Sequence, residues 1–272
     1  MGNKVLVLPD IHGRTFWKEP CRHPEKYEKI IFLGDYFDPY DFEGITVEDA
    51  IDNFIEILEL KRNYMEKVVL LLGNHDLPYF STTYYGFSWY HCRHSDEYHD
   101  VIARLLDDNR ELFQLAYAYQ DILFTHAGVE YEWLAMTVQC IDWDVNTICD
   151  TLNGLLKTTD GLEKLYCITP SRGGTDRYGS CIWSDVDDMM RSTLRPIEMN
   201  PIKEMKQVFG HSLQAFYDFN ESVSYGEAVE FENCKMIDTA QAYELEGLWH
   251  TDQHRHGFSL RAPRVFNTNC HE

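Results

Sequence analysis

"KVVLLLGNHDLP", residues 67–78, is the stretch whose reading decides the fold. Leu70, Leu71 and Leu72 end a buried strand, Gly73 breaks it, and Asn74, His75 and Asp76 follow directly. Alone, the tetrapeptide Gly-Asn-His-Asp also reads as a polar turn closed by Asx-type hydrogen bonds. A turn-stabilising role remains the reading for Asp76. The residues on either side have to decide between a turn and a site.

Working outward, "KVLVL" (4–8) and "KIIFLG" (29–34) are two more short apolar strands. Between the second strand and the third, Val47, Ala50, Ile51, Phe54, Ile55 and Leu58 form a helical stripe. Thr46 and Asp49 have the spacing of a capping box at its start. Continuous apolar strands joined by a helical crossover predict a central, partly parallel sheet covered by helices.

Downstream, "SDEYHDVIARLLDDNRELF" (95–113) reads as helix, and "LAYAYQDILFTHAG" (115–128) as a hairpin or two successive strands. Residues 130–165 look mostly helical, and "TPSRGGTDRYG" (169–179) is a Gly-rich loop. Beyond residue 212, "AFYDF", "CKMIDT" and "AYELEG" are short β-like segments split by turn residues. There is no internal repeat, low-complexity tract or Pro/Gly/Ser linker. The expectation is one domain over 1–272, with loop or lid segments near 77–100 and 158–200.

The 272 residues are 44% hydrophobic and 25% charged, as in an ordinary globular protein with a substantial core. No apolar run approaches the roughly 18–20 residues that cross a bilayer. The opening "MGNKVLVLPDIHG" lacks a signal peptide's apolar region, and Leu6 stands where a myristoylation site wants Ser or Thr. A cytoplasmic location follows as the default. Eight scattered cysteines without a Cys-x-x-Cys argue for buried reduced thiols over a zinc ribbon or disulfide scaffold. The net charge of −21 repels phosphate backbones, so non-specific nucleic-acid binding is not expected.

In an open α/β sheet, functional groups gather where strands end. Asp10 and His12 follow the first strand here, Asp35 and Asp38 the second, and Asn74, His75 and Asp76 the third. His126 follows a fourth in "LFTHAG", and His211 a fifth in "VFGHS". Any one of these is an ordinary structural residue; five junctions together are not. Asp and Asn oxygens with His nitrogens suit borderline divalent ions better than calcium or magnesium. Such ligands are too many for one tetrahedral zinc. They suit two ions sharing a carboxylate, the arrangement that clamps attacking and leaving oxygens in phosphoryl hydrolysis.

Asp-x-His, Gly-Asp-x-x-Asp, Gly-Asn-His-Asp, His and Gly-His, in that order from Asp10 to about Thr239, resemble the calcineurin-like metallophosphoesterase superfamily. The look is that of the branch holding Ser/Thr protein phosphatases, phage-type phosphatases and diadenosine tetraphosphatases, which "DIHG" and "IWSD" (182–185) also resemble. The resemblance implies an α/β (α+β) fold: a β-sandwich of mixed sheets flanked by helices, with a dinuclear metal site at strand ends. It implies one ion on Asp10, His12 and Asp35, and another on Asp35, Asn74, His126 and His211. It leaves His75 to protonate the leaving oxygen, oriented by Asp38, while a hydroxide shared by the two ions attacks phosphorus in line. Manganese is the ion expected first, with iron, zinc or nickel as alternatives.

Two features depart from the family pattern. Leu213 stands where nuclease-like members carry a second His, which disfavours a nuclease. Pro39 and Leu72 stand where the protein-phosphatase branch carries arginines, which weakens a Ser/Thr or Tyr protein-phosphatase reading. Arg172 in the Gly-rich loop is the substitute expected to bind substrate phosphate, with Arg177 behind it and Arg14, Arg191 and Arg195 as weaker candidates. The expected substrate is a phosphomonoester or nucleotide polyphosphate, with a phosphoprotein as the alternative. A scaffold that keeps the fold without chemistry is the reading from another class. "STTYYGFSWYHCRH" (81–94) reads as a packing loop or an aromatic lid; neither it nor "HTDQHRHG" (250–257) is given a catalytic role.

Overall fold

The three early apolar runs become strands β1 (Lys4–Leu8), β2 (Lys29–Phe32) and β3 (Val68–Leu71). They are seen in a computed structural model that describes residues 4–80, 92–213, 215–217, 223–246 and 259–261. The three strands pair in parallel, Val5–Leu8 beside Lys29–Phe32 and Ile30–Phe32 beside Val68–Leu70. Parallel strands need a long crossover, and α1 (Val47–Asn63) supplies it between β2 and β3. The capping box forms as its spacing predicts: Asp49 N donates to Thr46 Oγ1, and Thr46 N donates to the Asp49 carboxylate, both at 3.1 Å. β4 (Phe113–Gln114) extends the sheet beyond β3. On the other side β12 (Tyr243–Glu246) runs antiparallel to β1, and β13 (Ser259–Arg261) antiparallel to β12.

A second sheet grows from the expected hairpin, β5 (Ala116–Tyr119) and β6 (Ile122–Thr125). β7 (Lys206–Phe209) lies parallel to β6, β11 (Cys234–Met236) parallel to β7, and β10 (Val229–Phe231) antiparallel to β11. β8 (Ala215–Tyr217) and β9 (Val223–Tyr225) form a separate ribbon.

Alternation along the strands explains why they are apolar throughout. Val5, Val7, Ile31, Leu33, Val69 and Leu71 face Ile122, Phe124 and Val208 of the second sheet. Leu6, Leu8, Ile30, Phe32, Val68 and Leu70 face the opposite way, packed with Phe54, Ile57 and Leu58 of α1. A strand with a sheet on one side and a helix on the other has no polar face. The result is the expected α/β sandwich of two mixed sheets flanked by helices.

The remaining helices are α2 (Leu77–Phe80), α3 (His99–Asp107), α4 (Tyr131–Trp133), α5 (Val145–Leu155), α6 (Thr159–Lys164) and α7 (Val186–Thr193). Three of them start at side-chain caps, Asp144 for α5, Thr158 for α6 and Asp185 for α7. The helix expected over 95–113 is shorter than its pattern. Asn109 Nδ2 donates to the Leu105 carbonyl at 2.8 Å and caps the end of α3, while Phe113 and Gln114 pair with the open edge of β3. Among the described residues no helix is long and apolar enough to cross a membrane.

Strands β1, β2 and β3 are parallel in the first sheet, and β6 and β7 are parallel in the second. The carboxyl ends of all five meet at one edge of the sandwich, where the loops bearing Asp10, Asp35, Asn74, His126 and His211 begin.

Candidate metal centre

The loops leaving those strand ends depart at once from regular backbone. His12 (φ +43°), Asp35 (+53°), Asp38 (+56°) and His211 (+68°) all adopt the left-handed region, which few non-glycine residues enter. Such conformations cluster where surrounding structure holds a functional side chain in place. The glycines between strand and site residue have a more specific cause. A Cβ on Gly73 would stand 2.1 Å from Asp35 Oδ1, and one on Gly210 would stand 2.1 Å from Asp10 Oδ1. A carboxylate oxygen occupies the space of the missing side chain in both places.

Asp76 ties the second and third junctions together. Its Oδ2 accepts from Asp35 N at 2.7 Å and Gly73 N at 2.9 Å, and its Oδ1 accepts from Tyr36 N at 2.9 Å. The turn role expected for it extends to the neighbouring loop. Burial raises its carboxyl to about 6, against the pull of these N–H donors.

Asp35 sits at the middle of the arrangement. One oxygen accepts from His75 N at 2.9 Å. The other lies 3.5 Å from His12 Nε2 and 3.4 Å from His126 Nε2. His126 Nε2 is also 2.9 Å from Asn74 Oδ1 and 3.2 Å from His211 Nδ1. Asp10 approaches from β1, where both its oxygens accept from His211 N at 3.0 and 3.1 Å. All seven residues named for metal binding and proton donation (Asp10, His12, Asp35, Asn74, His75, His126 and His211) therefore converge and are buried. Two sets of donor atoms lie within 4.8 Å of one another: His12, Asp35 and His75, and Asp35, His126 and His211. His75 thus has a ring nitrogen within the first set, while Asp10 is engaged by the His211 backbone.

The protonation chemistry fits cations. His12 Nδ1 donates to the Phe37 carbonyl at 2.6 Å and His126 Nδ1 to the Leu33 carbonyl at 2.9 Å, leaving each Nε2 lone pair toward Asp35. Burial drives His12 and His211 well below the ordinary imidazole range, which favours neutral rings with a free lone pair. Burial drives Asp35 well above the carboxylate range, and the nearby Asp10 and Asp76 carboxylates add to it. His211 Nε2 is buried without a hydrogen-bond partner among the described residues. A buried carboxylate, neutral imidazole lone pairs and an amide oxygen facing one another are donors that could hold a cation.

His75 lies beside this centre, its ring 5.0 Å from that of His12. Its Nδ1 is 3.0 Å from Asp38 Oδ2, and Asp38 Oδ1 accepts from Tyr79 Oη at 2.7 Å and Ser95 Oγ at 2.8 Å. His94 and His99 belong to a stack on Tyr79 and do not reach the donor sets. His91 and residues 250–257 lie outside the described residues, as does most of the aromatic segment, 81–91.

A cavity of about 390 Å³ opens over the donors. Arg172 lines it, with Nε 2.7 Å from Asp185 Oδ2 and Nη2 in contact with Ser212 Oγ. Arg177 is not among the lining residues. Arg14 acts behind the site, donating to the Asp10 carbonyl at 3.1 Å and to Glu43 at 2.7 Å. Arg191 and Arg195 pair with Asp188 and Glu132.

Sequence reasoning missed two residues. Arg93 also lines the cavity, hidden in a stretch read for its aromatics. Asp238 is buried behind Asp10, with Oδ1 unpartnered among the described residues and its carboxyl raised well above the usual range, by burial and then by Asp10. It follows Ile237, one residue past the end of β11, so the rule that found the other strand-end carboxylates applies to it as well.

Residues 4–185 match the calcineurin-like phosphoesterase family. The chain belongs to that family. This phosphoesterase is accordingly a hydrolase, and its His/Asp groupings suit the metal dependence of its family. No curated protein sequence matches the chain significantly. Among solved structures, a cold-active protein-tyrosine phosphatase of a psychrophilic Shewanella species is similar at a TM-score of 0.51 and 14% identity, covering 91% of this chain and 76% of that one. A Saccharomyces cerevisiae protein serine/threonine phosphatase, described as similar to human phosphatase PP5, gives 0.51 at 13% identity, covering 96% and 79%. At these identities the likeness is one of fold.

Proposed function

We propose that this phosphoesterase hydrolyses a small phosphomonoester or nucleotide polyphosphate at a centre of two divalent cations. The observation that carries the reading is the Asp35 carboxylate, one oxygen of which lies within 3.5 Å of His12 and of His126 on its two sides. One ion would be held by Asp10, His12 and Asp35, and the other by Asp35, Asn74, His126 and His211. Such a pair supplies Lewis acidity for the attacking water and neutralises charge on the phosphoryl group. Manganese is the ion we assign first, with iron, zinc or nickel able to use the same ligands.

The chain's own groups do the rest. His75 gives a proton to the leaving oxygen from Nε2, because Nδ1 is engaged by Asp38. Asp38 in turn is held by Tyr79 and Ser95, so the ring does not swing. Arg172 binds a non-bridging phosphate oxygen from the cavity wall. The cavity volume, about 390 Å³, favours a small substrate over a folded phosphoprotein. A protein phosphatase is the second reading, favoured by the two fold neighbours that carry that description.

The wider reading is a single domain over 1–272 with loop or lid segments near 77–100 and 158–200, of which 81–91 lie outside the described residues. We place it in the cytoplasm, in keeping with the absence of disulfides among the described residues. Its net charge of −21 disfavours non-specific nucleic-acid binding. A panel of nucleotides, dinucleoside polyphosphates, sugar phosphates and phosphopeptides, assayed with manganese-loaded protein, tests the substrate class. The reading predicts the highest kcat/KM on a small molecule; a preference for phosphopeptides would favour the second reading. Hydrolysis that survives His126→Ala undiminished would contradict the assigned centre.

A further inference from the structure

Arg93 is the second guanidinium of the cavity, and its contacts differ in kind from those of the other arginines near the site. Arg14 pairs with Glu43 and Arg172 with Asp185. Arg93 has no carboxylate partner among the described residues, in a chain with 45 acidic and 24 basic side chains. Its Nε and Nη2 both donate to one backbone carbonyl, that of Asp38, at 3.2 and 3.0 Å. Its carbon Cζ lies 3.6 Å from the centroid of the Tyr40 ring. One edge and one face of the guanidinium are thereby fixed, which orients its remaining donors without neutralising its charge. A positive charge held in this way beside a polar cavity calls for an anion.

The anchoring point gives the contact its meaning. Asp38 carries the His75 ring on its carboxylate and Arg93 on its carbonyl, so both groups are registered to one residue. Pro39 follows Asp38 directly, and the guanidinium at this place arrives from 55 residues further along the chain. Arg172 stands elsewhere on the wall, beside Asp185 and Ser212. Both arginines line the same cavity over the donor cluster.

We propose that Arg93 binds non-bridging oxygens of the substrate phosphoryl group together with Arg172, and that this pair selects a terminal, dianionic phosphate over a phosphodiester. The inference rests on the phosphoesterase reading of the same site. A terminal phosphate carries close to two charges at neutral pH, whereas a diester carries one and has a second ester arm to accommodate. Losing one guanidinium contact therefore costs the monoester more.

The test compares wild type, Arg93→Ala and Arg93→Lys, all manganese-loaded, on p-nitrophenyl phosphate and bis(p-nitrophenyl) phosphate, with inorganic phosphate as competitive inhibitor. A lost charge-assisted contact is expected to raise KM for the monoester and Ki for phosphate by about ten- to a hundredfold in R93A. The diester kcat/KM should change by far less, metal content should be unchanged, and R93K should recover part of the loss. Unchanged phosphate Ki in R93A overturns the proposal. So does an equal loss on both esters with reduced metal content, which marks Arg93 as a structural support of Asp38. Should R93A fold poorly, the same two readings of R93K decide: a raised phosphate Ki with preserved metal content supports the proposal, and an unchanged Ki contradicts it. Asp35→Asn, run in parallel, separates the two levels: activity retained there would remove the reading beneath the proposal, whatever Arg93 does.

Discussion

Gly210 has no side chain because Asp10 Oδ1 occupies the place where one would be. Gly210→Ala is therefore expected to displace that carboxylate and to weaken metal binding or kcat/KM by about 10–100-fold. A manganese titration of the variant checks it, and binding equal to wild type would show that Asp10 relaxes without consequence. His75 permits a sharper test. If it protonates the leaving oxygen, His75→Ala slows esters with poor leaving groups by about 100-fold or more and activated aryl esters much less. Equal losses across leaving groups would remove the acid role. At this scale the sequence was informative at the five strand ends that carry Asp10, Asp35, Asn74, His126 and His211, though not at Asp238. It was silent on Arg93, because a side chain's arrival beside the Asp38 carbonyl depends on a fold contact that local pattern does not encode. It was equally silent on the left-handed backbone at His12, Asp35, Asp38 and His211. Non-glycine residues hold such angles only when tertiary contacts impose them.

Asp76 joins elements more than it serves its own turn. Asp76→Ala would leave the buried N–H groups of Asp35, Gly73 and Tyr36 without their acceptor. A loss of at least about 3 kcal/mol is expected in urea unfolding, with Asp76→Asn milder because it keeps an oxygen. A loss under about 1 kcal/mol would mean that water or a rearranged loop replaces the carboxylate. The strands β1 to β3 and the helix α1 were legible for physical reasons. Their side chains are apolar on both faces of a covered sheet, and Thr46 with Asp49 marks the helix start locally. The end of α3 was not, because a helical pattern runs on past Asp107 while the open edge of β3 recruits Phe113 and Gln114. Tertiary pairing overrode local periodicity there, as it does wherever a sheet edge is available.

Across the whole molecule, Glu130 couples stability to pH. Its carboxylate accepts from Gly179 N at 2.9 Å and Ser184 Oγ at 3.0 Å, tying the loop after β6 to the segment before α7. Burial raises its carboxyl from 4.5 to about 7. Between those values the folded chain keeps a proton that the unfolded chain has released. Stability from this group is full below about pH 4.5 and is lost as pH rises toward 7. Glu130→Gln should flatten that part of the curve by about 1–3 kcal/mol, read from denaturant unfolding at stepped pH; an unchanged slope would assign the dependence elsewhere. The sandwich itself brings five strand ends to one edge, and everything proposed for the site depends on two cations meeting there on Asp35. Elemental analysis of chelator-stripped, manganese-reconstituted wild type and Asp35→Asn, beside their hydrolysis of p-nitrophenyl phosphate, addresses that dependence most directly. A shared Asp35 predicts about two ions per chain and restored activity in wild type, with both ion occupancy and activity lost in D35N. Full activity in the stripped wild type, or a D35N protein that keeps its ions and its turnover, would contradict it.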